Sequence, residues 1–289
     1  MNIITTESKL LCFTKHLENY SLFKGSGFSV YGEIFKEYIF ISINPQKAVL
    51  NIELCSKVDA VLSEYESRHS FNYLKKSKKF LQLLCFYLSY RNFFTFYKYS
   101  SEFTSKFLKL KTHNYLNEMG CLTGRPGSGN FSMFYAIIIF NDSRDFNDHR
   151  ILNWFDNMNN NINKDGFWGN NHITHQLQNG YHQYEIYNFF KRNPPVNINI
   201  DKILKSQDSK GHFGPFSGGG GCFDFDTVDL LYKIDSPDYN KRIDKSLLKL
   251  YNNLLLEQNE DGGFSESPYI SNFKNSIIHI FIYTITNFN

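Results

Sequence analysis

Apolar positions recur at helical spacing over much of the chain. Val49, Ile52, Leu54, Val58, Val61 and Leu62 form one such set, and Leu74, Phe80, Leu83, Leu84, Tyr87 and Leu88 form another. Steps of three and four residues put side chains on one face of a helix. Little proline or glycine interrupts residues 46–117, so this stretch is expected to be mostly helical. Ahead of it the pattern is indistinct: residues 21–32 are a loop punctuated by glycine and serine, residues 37–43 suit strand or helix, and Asn44-Pro45 ends the stretch.

In the second half the pattern repeats. Asp165-Gly-Phe-Trp-Gly169, Lys210-Gly-His-Phe-Gly214 and Asp261-Gly-Gly-Phe-Ser265 superpose as a charged residue, glycine, any residue, a large aromatic and a small residue. Their glycines, Gly166, Gly211 and Gly262, lie 45 and 51 residues apart. A helical pattern precedes each turn (151–160, 200–207, 247–258) and another follows (172–191, 224–234, 273–286). Gln207 and Gln258 each stand three residues before the charged position of their turn, and Gly124-Arg-Pro-Gly-Ser-Gly129 is a weaker, earlier copy that opens an apolar helix over 131–140. Each unit therefore predicts an αα-hairpin whose tight turn carries a glycine and an aromatic plug. Trp154 and Trp168 are expected to be such plugs, and His212, in the turn, to be exposed. Hairpins of this length stack into a solenoid or close into a ring. The nearly all-apolar run FKNSIIHIFIYTI offers no polar capping repeat, which favours closure. The expected fold is all-α, a complete or incomplete α/α toroid of four to six hairpins over residues 116–289. Residues 1–115 supply degenerate hairpins or an appended helical element.

Chemistry concentrates between Gly211 and Asp229, GHFGPFSGGGGCFDFDTVD. A glycine run leads into a helix on which Cys222, Asp226 and Asp229 fall at i, i+4 and i+7, one face. Acidic residues in a first turn also suit the positive end of a helix, so a plain N-terminal charge pattern fits these carboxylates too. Backbone N–H groups of Gly220 and Gly221 are placed to receive an anion, with aspartates nearby to hold a divalent cation that bridges to a diphosphate. A second polar helix start holds His172, His175 and His182 beside Gln178, Asn179 and Glu185, and a third spans 272–279.

The segments QNEDGGF, QDSKGHFGP and NKDGFWG resemble the glutamine-and-aromatic turns of the terpenoid cyclase and protein prenyltransferase superfamily, over about residues 118–289. That resemblance implies an α/α toroid whose inner helices begin after the turns and face a central cavity that takes a prenyl or other apolar substrate. Asp224-Phe-Asp226-Thr227 is similar to the acid motif of class II terpene cyclases, which implies Asp226 as the proton donor and Asp224 as the group that hydrogen-bonds or polarises it. Thr227 stands where the family has its last carboxylate. By resemblance to the prenyltransferases, Cys222, Asp224 and His279 become candidate ligands for zinc, with Cys222 and Asp224 in reversed order; magnesium belongs to the diphosphate reading of the glycine run and aspartates. His175, His182, Asp229, Gly220 and Gly221 become candidate substrate contacts. Helical toroids also include polysaccharide lyases and glycosidases; a glycan substrate would bring Tyr181, His182 and Glu185 forward. A non-catalytic helical-repeat binding protein is the third possibility.

A net charge of +3 does not call for a nucleic-acid partner, and the one basic cluster, Lys75, Lys76, Lys78 and Lys79, fits a solvated helix face. The five cysteines are odd in number and form no CxxC pair, the usage expected of reduced thiols in a cytoplasmic protein. No apolar run reaches the roughly 20 residues of a transmembrane helix.

Overall fold

The computed structural model describes residues 30, 33, 34, 37, 45–214, 222–234 and 236–257. The described chain is all-helical, with eleven α-helices and no strand. They are α1 (Ile52–Arg68), α2 (Phe71–Leu74), α3 (Lys78–Phe94), α4 (Glu102–Phe107), α5 (Thr112–Glu118), α6 (Ser128–Ser143), α7 (His149–Asn161), α8 (Ile173–Phe189), α9 (Ile200–Lys205), α10 (Cys222–Tyr232) and α11 (Asn240–Glu257). Side-chain caps start most of them: Asn51, Ser70, Ser77, Asp148 and Asn199 each accept an N–H of the first turn, and Ser101 closes a capping box with Thr104.

The helices form two rows. In one, α3, α6, α8 and α10 each pack on the next, with α1 behind α3; in the other, α5 packs on α7 and α9 on α11. Helices of the first row are buried on several sides. α6 buries Asn130, Phe134, Tyr135, Ile138 and Asn141 alike, whereas α11 buries only the stripe Ile243, Ser246 and Leu250. Aromatic contacts join the rows, as where Trp154 and Phe155 of α7 meet Tyr187 of α8 at ring centroid distances of 5.7 and 5.1 Å.

The two described repeat turns are built alike, atom for atom. The Asn163 N–H donates to the Phe167 carbonyl (2.7 Å) and Gly166 N–H to the Asn163 carbonyl (3.0 Å), while Asn163 Oδ1 accepts from the N–H groups of Asp165 and Phe167. Forty-five residues on, Asp208 makes the same four bonds with His212, Gly211 and Lys210. Gly166 and Gly211 take φ of 81° and 100°, and a Cβ on either would stand 2.8–3.0 Å from backbone atoms of residues 197–198 or 249–250. Gln207 ties the second turn to α11, its Nε2 donating to the carbonyls of Gly211 and Ser246. The earlier glycine segment seats against the first turn: Gly124 and Gly169 press backbone to backbone, and Asn179 Nδ2 donates to the carbonyls of Gly124 and Arg125.

Three expectations need correction. His212 is buried, at 1% exposure, because it occupies the position that Phe167 fills in the preceding turn. Trp168 does plug its turn, its Nε1 donating to the Met158 carbonyl, but Trp154 lies inside α7 and donates to Ser132 Oγ. Lys75 is not a solvated cation: it is buried and paired with Glu118 at 2.7 Å. No disulfide links the described cysteines, and no described helix is long and apolar enough to cross a membrane. The third turn at 261–265, the 273–286 stretch, and most of residues 1–44 lie outside the described residues.

Candidate functional site

The acidic site forms where α8 packs on α10. Two glycines set the position of α8: Gly129 of α6 lies against the Asn179 backbone and donates its N–H to Asn179 Oδ1, and Gly180 leaves room for the Phe167 ring. The helical repeat then presents Tyr181, His182 and Glu185 one turn along. The Tyr181 hydroxyl donates to Glu185 Oε1 (2.8 Å), and His182 Nδ1 lies 3.3 Å from Glu185 Oε2, so one carboxylate joins both side chains. Across from them α10 carries Asp226, only 4% exposed, and Phe225, whose ring meets Tyr181 at 6.0 Å.

Asp226 makes no hydrogen bond to a described residue. Burial is the largest influence on its carboxyl, followed by the negative charges of Glu185 and Asp229; together they push its pKa up to about 8, against a smaller opposing effect of Lys78. The group is therefore mostly protonated at neutral pH. Tyr181 is raised by burial and by Glu185, which keeps its hydroxyl a donor. Asp229 is half-buried and paired with Lys233 one turn on.

Asp224 serves a separate cluster. Its Oδ2 lies 2.6 Å from His212 Nδ1, its Oδ1 accepts the Phe213 N–H at 2.6 Å, and His212 Nε2 reaches Glu257 at 3.1 Å. Asp224 is thus bonded to His212 and Phe213 rather than to Asp226: positions two apart on a helix point to different sides. Cys222 is exposed on α10 and within 3.7 Å of Gln178 Nε2, and His279, Gly220 and Gly221 lie outside the described residues. Among the described residues no three His, Cys, Asp or Glu side chains gather as a metal site. With both oxygens engaged, Asp224 fits a role in the His212 cluster better than one as a zinc or magnesium ligand.

His182 joins Asp226 at the acidic site, while His175 sits earlier on α8. Its Nδ1 is buried with no hydrogen-bond partner among the described residues, and burial, then His172, lowers its pKa. His172 is exposed at the N-cap, where it contacts Thr174. The sequence pattern gave His212 and Lys78 no part in these clusters. The alignment of His212 with Phe167 was the available signal for the first; the second lies on α3 and is brought near only by the fold. Comparison with protein-family models, curated protein sequences and solved structures finds no match.

Proposed function

We propose that this chain is an enzyme similar to the terpenoid cyclases, in which Asp226 delivers a proton to an alkene carbon of an apolar substrate. The observation that carries this is a carboxyl buried on α10 with no hydrogen bond to a described residue, under the negative charges of Glu185 and Asp229. A general acid must hold its proton at rest, and burial beside like charges is how a carboxyl does so. Protonation of the alkene leaves a carbocation and the Asp226 carboxylate. The π faces of Tyr181 and Phe225 suit the cation. Loss of a proton from a neighbouring carbon restores the acid, so the cycle needs no co-reactant. Two observations support an arc of a toroid: the unbroken row α3, α6, α8, α10, and the effect of Lys78, from one end of that row, on Asp226 at the other.

The test is product formation, by gas chromatography and mass spectrometry, from a panel of prenyl diphosphates and polyprenols. Wild type is expected to convert at least one member and Asp226→Asn none. Equal turnover by the variant, or no turnover by wild type, overturns the proposal.

The glycan alternative rests on one feature, the Tyr181–Glu185–His182 set, whose groups suit acid–base work on a sugar. Depolymerisation of an acidic polysaccharide that survives Asp226→Asn but not Tyr181→Phe would favour it.

A further inference from the structure

A cleft of about 670 Å³ opens between the second halves of α3, α6 and α8, with Pro45 at its edge. Its wall is mainly apolar, contributed by Phe93, Met133, Ile137, Phe140, Phe189 and Phe190. On α6 the lining runs from Met133 to Arg144, three turns, which is roughly 16 Å at 1.5 Å per residue. Such a shape suits a chain rather than a compact ring.

One end is polar in a specific way. Arg144 ends α6 in the left-handed region (φ 54°), its N–H bonded to the Phe140 carbonyl, so its side chain leaves the helix toward the cleft. The guanidinium carbon lies over the rings of Phe96 and Phe140 at 5.6 and 5.5 Å. Its Nε is buried without a hydrogen-bond partner, and among the described residues no carboxylate pairs with it; the neighbouring Asp142 is held by Lys98 and Arg150. A half-buried cation beside two phenylalanine rings, with a buried donor unused among the described residues, suits one anion. Asn92 and Asn141, hydrogen-bonded to each other at 2.6 Å, supply further polarity nearby. The mouth is greasy: Phe93, Phe96, Phe146 and Phe189 are each more than two-fifths exposed, and Phe146 stacks on Phe189 at 5.9 Å.

We propose that this cleft binds a long-chain monocarboxylate, its chain along α6 and its carboxylate on Arg144. Charge selects a single negative head. Among the described residues the lining carries one cation, Arg144, and the Glu185 carboxylate opposes a second negative charge, so a diphosphate is matched poorly. Exposed phenylalanines at the mouth let the chain enter without crossing a polar rim. The cleft shares Glu185 with the acidic site, but Arg144 lies outside that site, and binding here does not depend on proton transfer at Asp226.

The test is calorimetric titration of the full chain with monomeric laurate, and with dodecanol as its uncharged analogue. Laurate is expected to saturate one site with a negative heat-capacity change. Arg144→Gln should weaken laurate about ten-fold or more, the worth of a charge-assisted bond, and leave dodecanol unchanged. Ala136→Trp, which fills the cleft, should remove both. No binding of laurate by wild type, equal binding by Arg144→Gln, or full binding by Ala136→Trp overturns the proposal. If Arg144→Gln does not fold, laurate against dodecanol on wild type decides: equal affinities overturn it. Because the readout is binding, the result is independent of whether Asp226 catalyses anything.

Discussion

His212 Nδ1 lies 2.6 Å from Asp224 Oδ2 while its Nε2 lies 3.1 Å from Glu257, so one buried imidazole ties the start of α10 to the end of α11. Both ring nitrogens face carboxylates, an arrangement that suits the doubly protonated, cationic ring. Burial opposes that charge, but the hydrogen bond to Asp224, followed by the charges of Asp224 and Glu257, raises the His212 pKa overall. His212 therefore stabilises the fold fully below the unfolded-state value of about 6.5, and this contribution is lost as pH rises through the higher folded value. Urea titrations should show stability falling over that window more steeply in wild type than in His212→Gln, which keeps only the decline due to Asp226. His212→Ala should cost about 3 kcal/mol at pH 6, since it leaves the Asp224 carboxylate buried without its cation.

His212 also marks where the sequence could be read and where it could not. Helices and the glycine turns between them were legible, because apolar spacing and the glycines Gly166 and Gly211 are local signals. Alignment of Lys210-Gly-His-Phe-Gly214 with Asp165-Gly-Phe-Trp-Gly169 already set His212 opposite a buried aromatic, yet its place in a turn suggested exposure. The Asx anchors Asn163 and Asp208 were missed because they lie two residues ahead of the charged position that opened the motif. Asp224 and Asp226 looked like a working pair because they are near in sequence, but helix geometry sends one toward a turn and the other toward α8. Glu185 stood out only as a neighbour of histidines; that it joins Tyr181 to His182 depends on rotamers. Arg144 gave no signal, since what sets it apart is that no described carboxylate pairs with it, which only the fold shows.

Turn glycines in crowded and open settings should separate two costs. Gly127, with φ 76°, has nothing within 4 Å of the point a Cβ would occupy, so Gly127→Ala bears only left-handed strain, about 1 kcal/mol. Gly166→Ala adds a clash with the backbone of Asn197 and Ile198 at 2.8–2.9 Å, and the neighbouring segment must move. Chemical denaturation should show a loss of about 3 kcal/mol or more for Gly166→Ala. Similar losses for both would mean that the turn does not abut the next unit.

Gln183 is fully buried on α8, and among the described residues neither its Oε1 nor its Nε2 has a hydrogen-bond partner. An unpaired buried amide costs about 1–3 kcal/mol. Gln183→Met, close in volume, should therefore raise stability by about 1 kcal/mol, seen as a higher urea midpoint at unchanged slope. A drop in stability would show that the amide is satisfied by ordered water.

Asp226 should show the opposing demands of stability and catalysis. Its folded pKa is near 8, against about 3.9 for an unfolded aspartate. A raised carboxyl pKa contributes stability that is complete below the unfolded value and is lost as pH rises through the folded one. Across that window the loss amounts to roughly 5–6 kcal/mol. Asp226→Asn cannot ionise, so it escapes this loss, offset by about 1–3 kcal/mol for burying an amide. Urea titrations should find the variant about as stable as wild type or less so at pH 5, and about 2 kcal/mol more stable at pH 8. Gain of stability together with loss of turnover is the signature of a strained catalytic group. If stability instead falls equally at both pH values, the Asp226 carboxyl is stabilised as the anion and cannot be the resting acid.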